Sequence, residues 1–345
     1  MADDVEAFMA TMVMLPHPLP LSRAVSLVRD CYGLEARVTR LTGERDENFR
    51  VTAADGSDYV LKVAHPAEDL GVTDLSTAAL LHLERQDPAL PCPRVVRARD
   101  DHSHVRFVDE LRTERTARLL SYLPGRPLGR SHRSAPLRVE CGRLGGRLVR
   151  ALRTFRHPAA HRTIVWDVRH AAHLARLVGE VPGFPYRHEA LTLLDGIVPR
   201  IDTQFPQLRQ QIVHNDLNPK NILVTETDEV TGIIDFGDLT YTAVIADVAV
   251  TAAEHIPEDC SAGSGAAAAS VRDVANGYHE SVPLAAQELA ILGTLVAARL
   301  VANMVVHEWH VHRNPAGEHY RPLAADFIRT RLQIAAELSV EGSKL

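Results

Sequence analysis

Residues 212–236, IVHNDLNPKNILVTETDEVTGIIDF, place two short polar bursts directly behind two runs of apolar β-formers. Residues 211–213 and 230–234 read as strands that bury their side chains, so polar residues at their ends are held on a rigid frame. More than any other feature this limits what the chain can fold into, because His214, Asn215, Asp216, Asn221 and Asp235 must all emerge from such frames. Asp216 suits a group that accepts a proton from a substrate hydroxyl, and Asn221 and Asp235 offer the hard oxygens that Mg2+ prefers. The spacing Asp-x4-Asn followed by Asp-Phe-Gly points to phosphoryl transfer.

A chain of 345 residues, 46% of them hydrophobic, can bury a large core, and at ~150 residues per domain its length suggests two domains. The net charge of -6 gives no electrostatic reason to expect nucleic acid or an anionic membrane as partner. Cys31, Cys92, Cys141 and Cys260 lie far apart with no CxxC pair, which favours reduced thiols and a cytoplasmic location. Asp3, Asp4 and Glu6 at the N-terminus do not read as a secretory signal. The apolar segment 289–306 is interrupted by Arg299 and Asn303 and reads as a buried helix of a soluble domain. The oligomeric state is left open.

Along the chain, 21–32 has helical apolar spacing, with Ser22 near its start and Gly33 just beyond its end. Residues 35–41, 48–53 and 58–64 read as strands, the last two joined by the turn 54–57. Residues 72–85 read as a helix, 93–99 and 103–108 as extended, and 116–122 as another strand. Residues 123–127, Leu-Pro-Gly-Arg-Pro, break the pattern and suit a linker. Helical spacing then covers 137–155, 167–179, 188–205, 243–255, 266–281, 284–309 and 323–338, with 261–270 expected as a flexible loop entering a helix. The expected class is α+β: an N-terminal antiparallel sheet plus helix, then a mainly helical region.

Alternation places Lys62 on the same strand face as Val60 and opposite Leu61. A lysine there can hold nucleotide phosphates. Alone it reads as an ordinary solvated lysine, and the downstream motifs reverse that reading. The turn 42–49 lies where a phosphate-covering loop would lie, yet it contains a single glycine, Gly43, and a polar hairpin tip fits it as well. Asp238 suits a metal, a substrate amine or a cap. Asp247 is an acid in an apolar helical stretch and needs partners, for which backbone amides of the loop around Asp216 are suited. His214 reads as a brace for that loop. The run His307-Glu308-Trp309-His310 does not match HExxH, so no metal is expected there.

With Lys62, Leu123-Pro124-Gly125, His214-Asn215-Asp216, Asn221 and Ile234-Asp235-Phe236-Gly237-Asp238, the chain resembles the aminoglycoside phosphotransferase and choline kinase-like family of small-molecule kinases. Arg45-Asp46-Glu47-Asn48-Phe49, the stretch 118–127, Trp166-Asp167 and the stretch 230–238 look most like the hydroxylysine kinase branch. The resemblance runs from about residue 21 to beyond residue 254. It implies a protein-kinase-like two-lobed fold, with 1–122 a nucleotide-binding lobe and 123–345 a helical lobe carrying the catalytic loop, metal loop and substrate site. By the same resemblance the Ser121 carbonyl and Leu123 amide would meet the purine, and Lys62, with Gly43 and Asn48 in the covering loop, the phosphates. Asp216 would meet the acceptor hydroxyl, and Asn221 and Asp235 the magnesium.

One departure stands out. The helix after Lys62 should offer a glutamate to pair with it, but the region reads Ser76-Thr77-Ala78-Ala79, leaving Asp74 or Glu68 as substitutes. Pro219-Lys220 also adds a positive charge to the catalytic loop. In this family the acceptor lies against the C-terminal helices, here including Arg299, Glu308, Trp309 and Tyr320. A cationic amine would favour Asp238, Glu254 and Glu308, and a carboxylate Arg299; Arg299 equally suits a buried ion pair that stitches helices together. The implied activity is transfer of the γ-phosphoryl of ATP or GTP, with Mg2+, to the hydroxyl of an amino alcohol or hydroxylated amino acid such as hydroxylysine. The partners would be small molecules, with neither nucleic acid nor membrane. Alternatives are phosphorylation of an aminoglycoside or related drug, and a non-catalytic nucleotide-binding regulatory module.

Overall fold

The computed structural model describes residues 9, 18–43, 45–129, 133–257, 263–315 and 321–341; Cys260 and Tyr320 lie outside them. The chain forms two compact units. One is Met14–Pro124 with Gly232–Gly237; the other is Met1–Val13, Gly125–Thr231 and Asp238–Leu345. The change of unit at 124/125 falls inside the Leu-Pro-Gly break, and the short segment bearing Asp235 belongs with the N-terminal unit rather than with the helical one.

The N-terminal unit is built on strands β1 (Ala36–Leu41), β2 (Glu47–Ala53), β3 (Asp58–Val63), β4 (Val95–Val96), β5 (Val105–Val108) and β6 (Glu114–Ser121). Their order is β1-β2-β3-β6-β4 with β5 beside β6, and the pairs are antiparallel. Register places Phe49 opposite Leu61 and Leu61 opposite Leu119. Because side chains alternate, Phe49, Val51, Leu61, Val63, Ala117 and Leu119 share one face, and all are buried with Ala24, Leu27 and Val28 of helix α1 (Leu21–Tyr32). At ~25 cal/mol per Å2 of apolar surface, burial of that face contributes to the cohesion of this unit. Helix α1 ends at Gly33 (φ 74), whose N–H returns to Arg29 O. Its start follows Pro20 with no side-chain cap, so Ser22 does not serve as one.

The opposite face carries Asn48, Lys62 and Arg118 in one row, since Lys62 pairs with Asn48 on one side and Arg118 on the other. Helix α2 (Leu70–Gln86), capped by Asp69 Oδ1 on Gly71 N at 2.6 Å, is tied to that face by Arg118. The buried guanidinium donates to Thr73 O, to the Ser76 hydroxyl and to the Thr77 hydroxyl.

In the helical unit, β8 (Gln210–Val213) pairs antiparallel with β11 (Thr240–Ala243), and β7 (Arg126–Pro127) with β9 (Ile222–Val224). Strand β10 (Val230–Ile233) follows a tight turn closed by Thr225 N on Glu229 O. The helices are α3 (Ala135–Leu152), α4 (Ala172–Glu180), α5 (Arg187–Gln204), α6 (Val244–His255), α7 (Gly263–Ser281), α8 (Ala286–Arg313) and α9 (Ala325–Glu341). The core centres on α6 and α8, which are buried along most of their lengths. Among the described residues α8 alone is long and apolar enough to cross a membrane, and most of its apolar stretch is buried within the protein.

Three expectations change. Residues 93–99 yield only the two-residue β4. The helix expected over 167–179 is split, because Asp167 accepts from Arg169 N at 3.0 Å and caps a 3-10 turn at Val168–His170 before α4 begins. Residues from Gly263 onward are helical rather than loop, with Ala267 and Ala268 packed into the core.

Candidate active site

The loop after β8 is fixed from below. His214 and Asn215 are fully buried, and Asn215 adopts φ 63, a left-handed conformation that asparagine tolerates better than most residues. Asp247, in the first turn of α6, accepts from Asn215 N at 2.7 Å through Oδ1 and from Tyr278 Oη at 2.6 Å through Oδ2. Burial pushes the Asp247 carboxyl up to about 6, opposed by those two bonds. Asp247 is therefore the acid within an apolar helix whose partners are loop backbone and a tyrosine. His214 Nδ1 accepts from Asp216 N at 3.3 Å and braces the same loop.

Both oxygens of Asp216 are occupied. Oδ1 accepts from Asn218 Nδ2 at 2.9 Å and from Arg299 Nη2 at 3.2 Å, while Oδ2 accepts from Asn221 Nδ2 at 2.7 Å. Asn221 Nδ2 also bonds Asp216 O at 2.9 Å, and Asn218 Oδ1 accepts from Lys220 N at 2.7 Å. The Asp216 side chain keeps 21% exposure, and enclosure in protein raises its pKa well above the ordinary carboxylate value. The Asp238 charge adds to the rise, against the pull of Arg299 and the Asn218 bond.

Arg299, buried on α8, also donates to Glu254 Oε1 at 3.1 Å and Trp166 O at 3.1 Å, with its guanidinium 4.9 Å from the Trp166 ring centroid. Asn303, one turn along α8, donates to the same Glu254 oxygen at 2.9 Å. Asp216, Asn221, Glu254 and Arg299 thus form one network. Asn218 and Asn303 belong to it as well, and the sequence reading passed over both; Asp-x-Asn inside the loop and the i, i+4 spacing from Arg299 are the signals that single them out.

Glu308 and Trp309 sit elsewhere. Glu308 follows Arg299 by nine residues, which at about 100° per residue turns it to the opposite side of α8. There it accepts from Leu323 N at 2.6 Å, and Trp309 Nε1 donates to Glu180 Oε2 at 2.8 Å.

In the N-terminal unit, Lys62 Nζ lies 3.1 Å from Asp235 Oδ1 and 3.4 Å from Asp46 Oδ2, with 11% of its side chain exposed. Burial works against the ammonium charge, but the two carboxylates outweigh it and raise its pKa. Asp235 adopts φ 62 and is half-exposed. Its segment is held by Ile233 N on Pro91 O at 2.8 Å and by Gly237 N on Asp235 Oδ1 at 3.3 Å. Gly43 is needed where it stands, because a Cβ there would meet Asp46 O at 2.1 Å and Asn48 Nδ2 at 2.7 Å. Asn48 Nδ2 bonds Asp46 O at 3.4 Å and Thr42 O at 3.5 Å, bracing the β1–β2 turn. Ser121 closes the end of β6 by exchanging bonds with Arg94, and Tyr122 N, just before Leu123, donates to Asp58 O.

Neither expected substitute for the helix glutamate reaches Lys62. Glu68 accepts from the Thr73 hydroxyl at 3.1 Å, its carboxyl pushed up by burial and then by the Asp46 charge. Asp74 makes no ion pair with Lys62 either: the lysine's partners among the described residues are Asp235 and Asp46.

A model of the phosphotransferase enzyme family (APH) matches residues 37–289. Hydroxylysine kinase of Mus musculus is 25% identical over 329 residues, covering 88% of this chain and 86% of that protein. The Bos taurus protein of the same name is 26% identical over 328 residues, covering 88% and 85%. Among solved structures, an amicoumacin kinase in complex with AMP-PNP, Ca2+ and Ami superposes with a TM-score of 0.69 at 16% identity, covering 93% of each chain. A microcompartment-associated aminopropanol kinase gives 0.66 at 17%, covering 94% and 97%. The α+β fold with its N-terminal antiparallel sheet and helical C-terminal region is shared with these kinases. A match over most of its length, on a fold of this kind, makes the chain a member of the phosphotransferase enzyme family.

Proposed function

We propose that the chain is a small-molecule kinase that moves the γ-phosphoryl of ATP or GTP to the hydroxyl of an amino alcohol or hydroxylated amino acid, with hydroxylysine the leading acceptor. The observation that carries this reading is the state of Asp216. It is enclosed, raised in pKa and fixed by Asn218, Asn221 and Arg299. A base for a hydroxyl needs such fixed geometry and raised basicity.

The acceptor hydroxyl gives its proton to Asp216 as its oxygen bonds the γ-phosphorus, and the bond from that phosphorus to the bridging oxygen breaks, releasing the nucleoside diphosphate. Oδ2, which receives a single donor among the described residues, is the oxygen suited to take the proton. Lys62 would hold phosphate oxygens, and Ser121 and Leu123 the purine by their backbone groups. Asn221 turns its amide nitrogen toward Asp216, which leaves its oxygen for a hard cation, and the half-exposed Asp235 carboxylate has the same chemistry. Each of these oxygens is of the kind Mg2+ takes, and Mg2+ when bound would neutralise phosphate charge.

Asp238 and Glu254 bring negative charge close to Asp216, suiting an acceptor with an ammonium group. Arg299 commits its three nitrogens to Glu254, Trp166 and Asp216, so we assign it to orienting the base. The relatives named hydroxylysine kinase, which match 88% of this chain, support that acceptor, and the wide spacing of the four cysteines supports a cytoplasmic setting.

The test is a screen of 5-hydroxylysine, other amino alcohols and aminoglycosides with Mg-ATP and Mg-GTP, read as nucleotide consumed. The expected result is highest kcat/KM for hydroxylysine or a close analogue. Preference for a polycyclic drug, or no acceptor-dependent consumption, counts against the proposal.

A further inference from the structure

The buried lysine of this site lacks the helix carboxylate expected beside it, and the place where that carboxylate would lie is taken. Ser76 and Thr77 of α2 accept hydrogen bonds from Arg118, which stands next to Lys62 across β3 and β6. A cation from the sheet thus occupies the helix face where the sequence lacks its acid.

Sheet register supplies another partner. Lys62 is directly opposite Asn48, and two residues before Asn48 the chain carries Asp46. Asp46 lies one residue before β2 begins at Glu47, close to the diagonal position from Lys62, which a side chain can reach. Asp46 Oδ2 is 3.4 Å from Lys62 Nζ. Its other oxygen, Oδ1, is buried with no hydrogen-bond partner among the described residues, so the ion pair with Lys62 helps offset desolvation of this carboxylate.

Asp46 is also braced by its neighbours. Its carbonyl is held by Asn48 Nδ2 over the Gly43 turn. The next residue, Glu47, is buried and clamped by Arg115 at 2.9 Å, by Leu19 N at 2.9 Å and by Arg40.

We propose that Asp46, in the β1–β2 loop, is the positioning residue for Lys62, replacing the helix glutamate, so that the loop and the lysine are aligned by one ion pair. This rests on the kinase reading above. On it, Asp235 is drawn to a metal when nucleotide binds, and Asp46 remains the carboxylate that aims Lys62 at the phosphates. Alignment of the lysine then does not depend on any movement of α2.

The experiment uses the full chain as wild type, Asp46→Asn, Asp46→Glu, Lys62→Met and the double variant Asp46→Asn with Lys62→Met. Glu68→Gln and Asp74→Asn serve as controls. Each is measured for thermal unfolding, for affinity toward fluorescent Mg-ATP and Mg-GTP analogues, and for affinity toward adenosine and guanosine, which lack the phosphates.

Asp46→Asn and Lys62→Met should each weaken triphosphate binding about tenfold while nucleoside binding stays within about twofold. Asp46→Glu should recover part of the loss, and the double variant should be no weaker than Lys62→Met alone, the non-additivity of residues acting as a unit. Glu68→Gln and Asp74→Asn should bind as wild type does. If Asp46→Asn fails to fold, Asp46→Glu carries the test, and its failing to fold or binding like Lys62→Met overturns the inference. Wild-type binding by Asp46→Asn while Lys62→Met is impaired, or losses that multiply in the double variant, overturn it while leaving the kinase reading intact. A wild-type chain that binds neither nucleotide overturns both.

Discussion

Asp247 lies on α6 with no exposure, yet its carboxyl is placed to accept two hydrogen bonds. Its pKa rises from 3.8 to about 6 because burial disfavours the charge more than those bonds favour it. A carboxyl whose folded pKa lies above its unfolded value stabilises fully below the unfolded pKa and loses that contribution as pH rises through the folded one. For Asp247 the window runs from about pH 4 to about pH 6, with roughly 3 kcal/mol at stake. Asn has the same shape, can accept from Asn215 N and does not ionise. Thermal unfolding of wild type and Asp247→Asn across this range should show wild type losing ground as pH rises to 6 and holding a constant difference above it. A difference independent of pH would show that Asp247 does not titrate there. Arg299 poses the complementary problem. Arg299→Met leaves Asp216 and Glu254 without their shared cation, which should cost about 3–5 kcal/mol in chemical denaturation, as loss of one partner from a buried pair does.

At the scale of elements, α3 and α7 approach so closely that glycines define their contact. A Cβ on Gly142 would stand 2.1 Å from Val274 O, and one on Gly277 2.1 Å from Val139 O. Alanine is the better helix former by about 1 kcal/mol, yet neither backbone can give way by so much. Gly142→Ala and Gly277→Ala should each therefore destabilise the protein by a net 1–3 kcal/mol or so, as overpacking does, and urea unfolding of each variant measures it. The sequence showed α1 and the β2–β3 hairpin to within a residue, because long apolar periodicity and Gly33 and Gly56 mark their limits. It did not mark β9 and β11, three and four residues long, because β9 continues directly from the Asp216 loop and β11 runs straight into α6. The loop from His214 to Asn221 was legible because its chemistry is compressed into adjacent positions. Asn303 was not, since its role depends on where Glu254 on α6 comes to lie, and the absence of an acid at Ser76 and Thr77 was visible while its replacement by Asp46 needed the register of β2 against β3.

At the scale of the whole molecule, the proposed roles fall on residues of both units. Lys62, Asp46 and Asp235 belong to the N-terminal unit, and Asp216, Asn221, Glu254 and Arg299 to the helical one. A ligand that binds only the native state adds RT ln(1 + [L]/Kd), about 2.7 kcal/mol at a hundredfold excess over Kd. Mg-ATP or Mg-GTP should raise the unfolding temperature of the wild-type chain accordingly, and of Lys62→Met by much less. Asp216→Asn should keep the nucleotide-induced shift while losing turnover, because Asp216 is assigned to the acceptor. The central claim, transfer to a hydroxyl with Asp216 as base, is tested most directly by phosphorus NMR of the products from Mg-ATP or Mg-GTP and 5-hydroxylysine. The wild type should give a new phosphomonoester in equal amount to the nucleoside diphosphate, with Asp216→Asn slower by about a hundredfold or more, in keeping with loss of a general base. Inorganic phosphate as the sole phosphoryl product, or equal rates for the two proteins, would contradict it.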